Sequence, residues 1–154
     1  MGRKSVKENK NRFQISREEA ELTREAAAEK MIFVSDDRIE KIESGKSQAH
    51  PEEVVAMAEC YKDATLCNHY CANECPIGRK FVPEITMKEL PQITLELINY
   101  LNQLEKQKDR FVEIAADGHV TLDEEDDFDK LEKTLNAMAV AVQTLQLWLM
   151  KERQ

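Results

Sequence analysis

The sequence predicts an all-α fold in which a small N-terminal helical bundle is followed by a C-terminal antiparallel helical hairpin. Leu, Glu, Lys, Ala and Gln dominate its 154 residues, and these residue types favour helices over strands. Four Gly and four Pro leave little material for the many tight turns of a sheet protein. Apolar residues also recur at spacings of three and four along two long stretches of the second half, which is the period of an amphipathic helix.

The last of these stretches is predicted to be a long helix with an apolar seam. Its apolar residues follow a heptad pattern: Phe128, Leu131, Leu135, Met138, Val142, Leu145 and Leu149. The preceding stretch carries a similar row with two polar interruptions: Leu90, Thr94, Leu97, Leu101, Leu104, Lys108, Phe111 and Ala115. An Asp117-Gly118 break separates the two stretches, so we expect the helices to fold back on each other.

A hairpin of two helices buries only one face of each helix, so apolar residues outside the seams require a further partner. Four such residues lie in these helices: Ile98, Val140, Leu147 and Trp148. Either the N-terminal bundle or a second subunit must cover them. We favour a second subunit, which makes the protein a homodimer through its C-terminal helices. Packing within one chain is the alternative.

Composition and pattern divide the chain into four segments. These are a basic flexible arm over 1–8, a domain of four short helical patterns over 9–62, a Cys-containing connector with at most one short helix over 63–87, and the hairpin over 88–154. The net charge of −8 is unevenly distributed, because residues 1–50 hold 11 basic and 10 acidic residues whereas residues 51–154 hold 11 and 20. A surface that binds phosphate is therefore expected in the first third of the chain.

Several classes of protein do not fit this sequence. Nothing approaches 18 consecutive apolar residues, so we expect no membrane-spanning helix. The polar start of the chain does not resemble a signal peptide, and we expect a cytoplasmic protein. The three His residues are scattered, and no nucleophile motif, phosphate-binding loop or pair of catalytic carboxylates stands out, so we do not expect an enzyme.

The boundaries of the helices in the N-terminal domain carry clear signals. Thr23 and Ser35 each stand where an N-cap is expected. Gly45 is a typical helix stop, and Pro51 opens a fourth helix at its favoured first-turn position. That fourth helix has an apolar stripe: Val54, Val55, Met57 and Ala58.

The stretch from Arg17 to Gly45 resembles the helix-turn-helix of lambda-repressor and Cro proteins, the XRE family of transcriptional regulators. The matching positions are Arg17, Leu22, Thr23, Ala28, Ser35, Ile39, Ile42, Glu43, Gly45 and Lys46. The resemblance covers about a third of the chain. It implies a sequence-specific regulator whose third helix lies in the major groove of double-stranded DNA. It also implies that Arg17 and Glu43 pair across the first and third helices.

Carried over by position, the resemblance implies a set of DNA contacts. The residues expected to meet bases are Asp36, Asp37 and Lys41. The residues expected to meet phosphate are Thr23, Arg24 and Lys46, and Arg38 fits either role. The chemistry of such an interface is hydrogen bonding and charge neutralisation.

Two features of this stretch depart from the family pattern. Members often carry Gln, Ser or Arg where this chain has Asp36 and Asp37. A carboxylate is repelled by phosphate, and the one base group that it can usefully contact is the N4 amino group of cytosine. The turn before them also lacks the Gly that is usual in the family, and it is one residue longer than the family's turn. If the two carboxylates only stabilise the start of the helix, the domain is instead an adaptor that acts by binding another protein.

The four Cys residues leave two interpretations open. Cys60, Cys67, Cys71 and Cys75 lie close together with His69 among them, but this spacing lacks the distant second ligand pair of a structural zinc site. It also matches none of the standard iron–sulfur spacings. A spacing of four places three of the thiols on one stripe of a helix, where Cys acts as a small apolar residue. We therefore expect no metal and no cofactor, with metal binding or redox sensing as the alternative.

The segment from Asp117 to Glu124 resembles the second half of a calcium-binding EF-hand loop. The first half does not comply, since Glu113 and Ala115 fall where ligating carboxylates belong. We expect a turn at Asp117-Gly118 and a capping box of Thr121 and Glu124 at the start of the last helix.

Overall fold

The structure, a computed structural model, describes residues 9–153 and is all-α, as the sequence predicted. The predicted basic arm over 1–8 lies outside the described residues. The helices of the described chain are α1 (Arg12–Glu19), α2 (Arg24–Met31), α3 (Asp36–Glu43), α4 (Pro51–Tyr61), α5 (Leu66–Asn73), α6 (Gly78–Phe81), α7 (Leu90–Ala115) and α8 (Glu125–Glu152). Among the described residues, no helix is both long and apolar enough to span a bilayer.

Two compact units make up the chain. The N-terminal unit holds α1 to α6, up to Ile85, and the last residues from Met150 onwards. The hairpin unit holds Thr86–Leu149 and therefore consists of α7 and most of α8.

The predicted helix boundaries of the N-terminal unit are confirmed. The Thr23 hydroxyl accepts a hydrogen bond from the Ala26 amide, and the Ser35 hydroxyl accepts one from the Arg38 amide. Gly45 has a φ of +73° and its amide donates to the carbonyl of Ile42, so it ends α3 in a conformation that glycine adopts without strain. These side-chain and backbone bonds satisfy groups that a helix leaves unpaired at its ends.

The core of the N-terminal unit is formed by apolar residues from five of its helices: Phe13, Ala27, Met31, Ile39, Ile42, Val54, Met57 and Leu66. Val55 was expected on the buried stripe of α4 but is exposed. The buried residues of α4 are Val54, Met57, Ala58 and Tyr61, which share one side of the helix. Val55 lies about 100° away from Val54 around the axis.

The segment over 63–87 contains two helices, α5 and α6, where the sequence predicted at most one. Leu66 at the start of α5 is fully buried in the core of the N-terminal unit. Gly78 brings α6 against α5, since a Cβ atom at this position would stand 2.1 Å from the carbonyl oxygen of Cys71. This close approach requires glycine.

The turn between α2 and α3 is strained. Ile32 has a φ of +64° and a ψ of −49°, and the Phe33 amide donates to the Met31 carbonyl at 2.7 Å. These values describe a three-residue γ-turn, a conformation that costs free energy and is unusual for a β-branched residue. Ile32 and Phe33 are both exposed. The absence of a Gly, noted in the sequence, is therefore accommodated by strain at Ile32.

Replacing Ile32 with Gly is expected to raise the free energy of unfolding by about 1 kcal/mol. Relief of backbone strain of about 1–3 kcal/mol is partly offset by the greater entropy of glycine in the unfolded chain. Urea denaturation followed by circular dichroism measures this difference. Ile32→Ala is the matched control, because it removes the same exposed side chain and keeps the strain. A Gly variant no more stable than the Ala variant would show that the turn is not strained.

The hairpin unit is joined by the turn that the sequence predicted. The Asp117 carboxylate accepts from the His119 amide, and Gly118 has a φ of +76°. The capping box is half formed, because the Glu124 carboxylate accepts from the Thr121 amide and the Thr121 hydroxyl also donates to it. Arg110 Nε donates to Asp127 Oδ2 at 3.0 Å and links α7 to α8.

The buried sides of α7 and α8 differ from the predicted seams. On α8 the buried residues are Leu131, which belongs to the predicted seam, and Thr134, Ala141 and Thr144, which do not. The predicted seam residues Leu135, Val142 and Leu149 are exposed instead. On α7, Ile93 and Ile114 are buried, while Leu101 of the predicted row is exposed. Several large apolar residues of both helices therefore remain exposed.

Candidate nucleic-acid interface

A buried ion pair holds α3 against α1, as the resemblance implied. Arg17 Nε donates to Glu43 Oε1 at 2.6 Å and Arg17 Nη2 donates to Glu43 Oε2 at 2.9 Å. The remaining amino group of Arg17 donates to the carbonyl of Leu22 at 2.7 Å. The Glu43 side chain is only 1 % exposed. Such a bidentate pair fixes both the distance and the orientation of the two helices.

Arg24, a residue expected to contact phosphate, is held by the same carboxylate. Its Nε donates to Glu43 Oε2 at 2.8 Å, while more than a third of its side chain remains exposed. Within the described part of the chain, its two Nη groups make no hydrogen bond. They are therefore available to donate to an anion beside the N-terminus of α2.

The other residues expected to contact phosphate, Thr23 and Lys46, are on the surface. The Thr23 hydroxyl caps α2. Lys46 Nζ lies 3.1 Å from Glu40 Oε1, and this contact lowers the pKa of Glu40. Both partners are well exposed, so water and salt screen the pair and Lys46 can exchange it for another anion.

Arg38 is fully engaged by the protein. Its guanidinium binds Glu53 with two hydrogen bonds of 2.7 Å and also donates to Ser47 and to the carbonyl of Gln48. These bonds tie α3 to the segment that leads into α4. The hydrogen bond from Arg38 is the main reason that the pKa of Glu53 is lowered. In this position Arg38 braces α3 and has little capacity left to donate to DNA.

The partners of Arg38 were missed by the sequence analysis, although one signal was present. Glu53 follows Pro51 by two positions, and its carboxylate also accepts from the His50 amide at 2.7 Å, as an acidic residue at this position of a helix often does. A carboxylate placed by such a cap faces back past the start of its helix. That is where Arg38 reaches it.

The residues expected to meet bases lie on the outer side of α3 and carry mainly negative charge. Asp36 and Asp37 are exposed in its first turn, and Lys41 is exposed in its last. Glu40 adds a third carboxylate to this side. Residues 11–62 together carry eight basic and twelve acidic side chains. A phosphate backbone approaching this surface therefore meets carboxylates unless cations at the margin offset them.

The four Cys residues are partly buried free thiols in the described structure. Burial raises the pKa of Cys60 and that of Cys67. Cys75 Sγ accepts from the Gly78 amide, next to the contact between α5 and α6. Over residues 9–153, no group of three or more His, Cys, Asp and Glu side chains is arranged to hold a metal ion.

The N-terminal helices are similar to a known protein family. Residues 11–62 match the model of a family described as a helix-turn-helix domain. No curated protein and no solved structure matches the chain. The chain thus contains a helix-turn-helix domain built from α1 to α4, a kind of domain that suggests a DNA-binding regulator.

Proposed function

We propose that the protein is a sequence-specific transcriptional regulator of the lambda-repressor/Cro type, the XRE family, and that it binds double-stranded DNA with α3 in the major groove. The observation that carries the proposal is the helix-turn-helix match over 11–62. It is supported by the Arg17–Glu43 pair, which fixes α3 beside α1, and by the hydrogen bond from Arg24 to Glu43, which joins α2 to α3. Helices held in this way present the first turn of the third helix to base edges.

The proposal assigns different tasks to the residues around α3. Asp36, Asp37 and Lys41 face the bases, and a carboxylate there selects cytosine through its N4 amino group. Arg24 and Lys46 donate to phosphates on either side, with the capped start of α2 at Thr23 contributing its amide dipoles. Arg38 positions α3 rather than contacting DNA.

The proposal also assigns tasks to the other segments. The hairpin over 88–154 joins two copies, so that two helix-turn-helix domains bind two-fold-related half-sites. As a regulator of transcription, the protein is expected to act in the cytoplasm and to need no cofactor.

Selection from random duplex DNA tests the proposal, with Lys41→Ala and Lys46→Ala as variants. We expect an enriched two-fold-related site. Lys41→Ala should change the preferred base at one position of the site, and the preference for the original base there should fall by about tenfold in affinity. Lys46→Ala should weaken binding to all sequences and reduce the slope of affinity against salt concentration by about one ion. Lys80→Ala, outside the matched domain, removes the same charge and should change neither. Absence of an enriched site together with absence of binding at low salt would overturn the proposal.

The acidic surface of α3 favours a second function, that of an adaptor for another protein. Asp36, Asp37 and Glu40 give this side a charge that suits a basic partner, and residues 51–154 add a further excess of acidic residues. A basic protein that co-purifies at low salt and is released by high salt, and whose binding Asp37→Asn weakens, would favour this function over DNA binding.

A further inference from the structure

The segment that follows α6 is extended rather than helical. Residues 82–89 contain no helix, and Val82 has the dihedral angles of an extended chain, with a φ of −113° and a ψ of 112°. Ile85 is nevertheless only 8 % exposed, and the N-terminal unit extends as far as this residue. We call residues 82–85 the strap. The strap belongs to the N-terminal unit although it adds no helix to it.

Asn68 of α5 binds the backbone of the strap. Its Nδ2 donates to the carbonyl of Pro83 at 3.0 Å, and its Oδ1 accepts from the amide of Ile85 at 2.9 Å. A side-chain amide offers both a donor and an acceptor, as a peptide group does. Asn68 therefore pairs with the strap in the way that a residue of a neighbouring β-strand would.

Two further residues of α5 hold the side chain of Glu84. Its Oε1 accepts from Asn73 Nδ2 at 2.9 Å and lies 3.2 Å from His69 Nδ1. His69 and Asn73 are four positions apart and are therefore neighbours on the surface of the helix. We call Asn68, His69 and Asn73 the α5 clamp. The clamp contacts three consecutive residues of the strap.

The α5 clamp is itself held firmly by the rest of the N-terminal unit. Leu66 at the start of α5 is fully buried in the core of that unit. Gly78 brings α6 against α5, and the Val82 amide donates to the Gly78 carbonyl at 2.7 Å. The strap is therefore fixed at its start by α6 and along its length by α5.

Docking of the strap shortens the tether between the two units. With the strap held, only residues 86–89 connect Ile85 to the start of α7 at Leu90, and four residues span at most about 14 Å. With the strap released, residues 82–89 would form the tether, and eight residues span up to about 29 Å. The clamp thus halves the distance that the tether can reach.

We propose that the α5 clamp fixes the spacing between the two half-sites that the regulator accepts on DNA. The inference deepens the proposed function and rests on it, because in that function the hairpin joins two helix-turn-helix domains. One added base pair moves a half-site by about 3.4 Å and rotates it by about 34°. Two short tethers follow few such steps, whereas two long tethers follow several. Asn68 and Asn73 act as positioning residues and do not touch DNA.

Selection from random duplex DNA tests the proposal when the distance between half-sites is read from the enriched sequences. We expect the unaltered full-length protein to enrich one spacing. Asn68→Ala should accept at least about three adjacent spacings with the same half-site sequence. Asn102→Ala is the matched control, because it removes the same side chain from an exposed position of α7, and it should keep one spacing. A single spacing in Asn68→Ala, or several in the unaltered protein, would overturn the proposal.

Two further variants guard against misfolding of Asn68→Ala. Asn73→Ala removes an exposed side chain that holds Glu84 and should also broaden the accepted spacings. Insertion of Gly-Ser-Gly-Ser after Thr86 lengthens the tether while the clamp stays intact, and it should add the same spacings. If the insertion broadens the spacings and neither Asn variant does, the clamp does not control the tether.

Cleavage by a glutamate-specific protease tests the clamp without DNA. A protease cuts chain that has come free locally, so cleavage after Glu84 requires the strap to leave α5. Loss of the two hydrogen bonds of Asn68 should raise this cleavage rate at least about tenfold, and Asn102→Ala should leave it unchanged.

The cleavage rates also separate this inference from the proposed function. Faster cleavage of Asn68→Ala in a protein that enriches no DNA site would overturn the proposed function, and the role in spacing with it, but not the docking of the strap. An enriched DNA site with unchanged cleavage and unchanged spacing in Asn68→Ala would overturn the clamp alone.

Discussion

Replacing Glu43 with Ala is expected to lower the free energy of unfolding by about 3–5 kcal/mol. The change leaves the buried Arg17 guanidinium without the carboxylate that it binds through two hydrogen bonds, and it also releases Arg24. An uncompensated buried charge is far more costly than the loss of an ion pair as a whole. Because a small domain is stable by about 5–15 kcal/mol, this loss is a large fraction of the stability of the N-terminal unit.

Urea denaturation of the full-length protein measures this effect. Glu40→Ala is the matched control, since Glu40 also pairs with a cation on α3's side of the domain but in an exposed position. It should shift the denaturation midpoint only slightly. In the double variant Arg17→Met with Glu43→Met, much of the lost stability should return, because no unpaired charge remains buried. Equal effects of Glu43→Ala and Glu40→Ala would contradict the role assigned to the buried pair.

Replacing Asp63 with Asn is expected to lower the free energy of unfolding by about 2–3 kcal/mol at neutral pH. Its carboxylate accepts hydrogen bonds from the Ser16 hydroxyl at 2.6 Å, from Arg12 Nη2 at 2.7 Å, and from both the amide and the hydroxyl of Thr65. These bonds join α1 to the start of α5. An amide in this place has only one acceptor oxygen, and its amino group faces donors.

The loss should depend on pH in a defined direction. Burial alone would raise the pKa of Asp63, but the hydrogen bonds from Ser16 and Thr65 and the charge of Arg12 outweigh it and lower the pKa. A carboxyl whose pKa is lower when folded stabilises the protein above its unfolded pKa, near 3.9, and loses that contribution as the pH falls through the folded value. The difference between the two proteins should therefore shrink below about pH 4.

Denaturation midpoints at pH 7 and pH 3 check this prediction. Glu19→Gln removes an exposed carboxylate at the end of α1 and should leave the midpoint nearly unchanged at both values. A gap between the unaltered protein and Asp63→Asn that stays constant from pH 7 to pH 3 would show that the Asp63 charge does not hold α1 and α5 together.

Signals that act over a few neighbouring residues allowed much of the N-terminal unit to be predicted. Thr23, Ser35 and Gly45 act on backbone groups within three or four positions, so their roles can be inferred from local sequence. The pairing of Arg17 with Glu43 is not local, and only the resemblance to a family made it predictable. The bracing of Arg38 by Glu53 had no such guide.

Packing between helices was harder to predict, for a physical reason. On α8 the large apolar residues suggested the buried side, yet the smaller Thr134 and Ala141 are buried. Small residues allow helices to approach closely, and the gain depends on the partner surface rather than on the hydrophobicity of one helix. Gly78 is a similar case, because its role depends on the backbone of Cys71 in another helix. A single sequence does not show directly which helix surfaces fit against each other.

The sharing of Glu43 between two arginines also bears on the entropy of binding. A free arginine side chain on a surface samples many rotamers, and fixing it costs up to about 2 kcal/mol. In this protein Arg24 is already anchored through its Nε, which restricts the positions that its two Nη groups can take. If the protein binds DNA in the proposed mode, part of the entropy that Arg24 must lose is therefore lost during folding rather than on binding. Glu43, which does not itself contact phosphate in this binding mode, would thus increase the affinity of Arg24 for it.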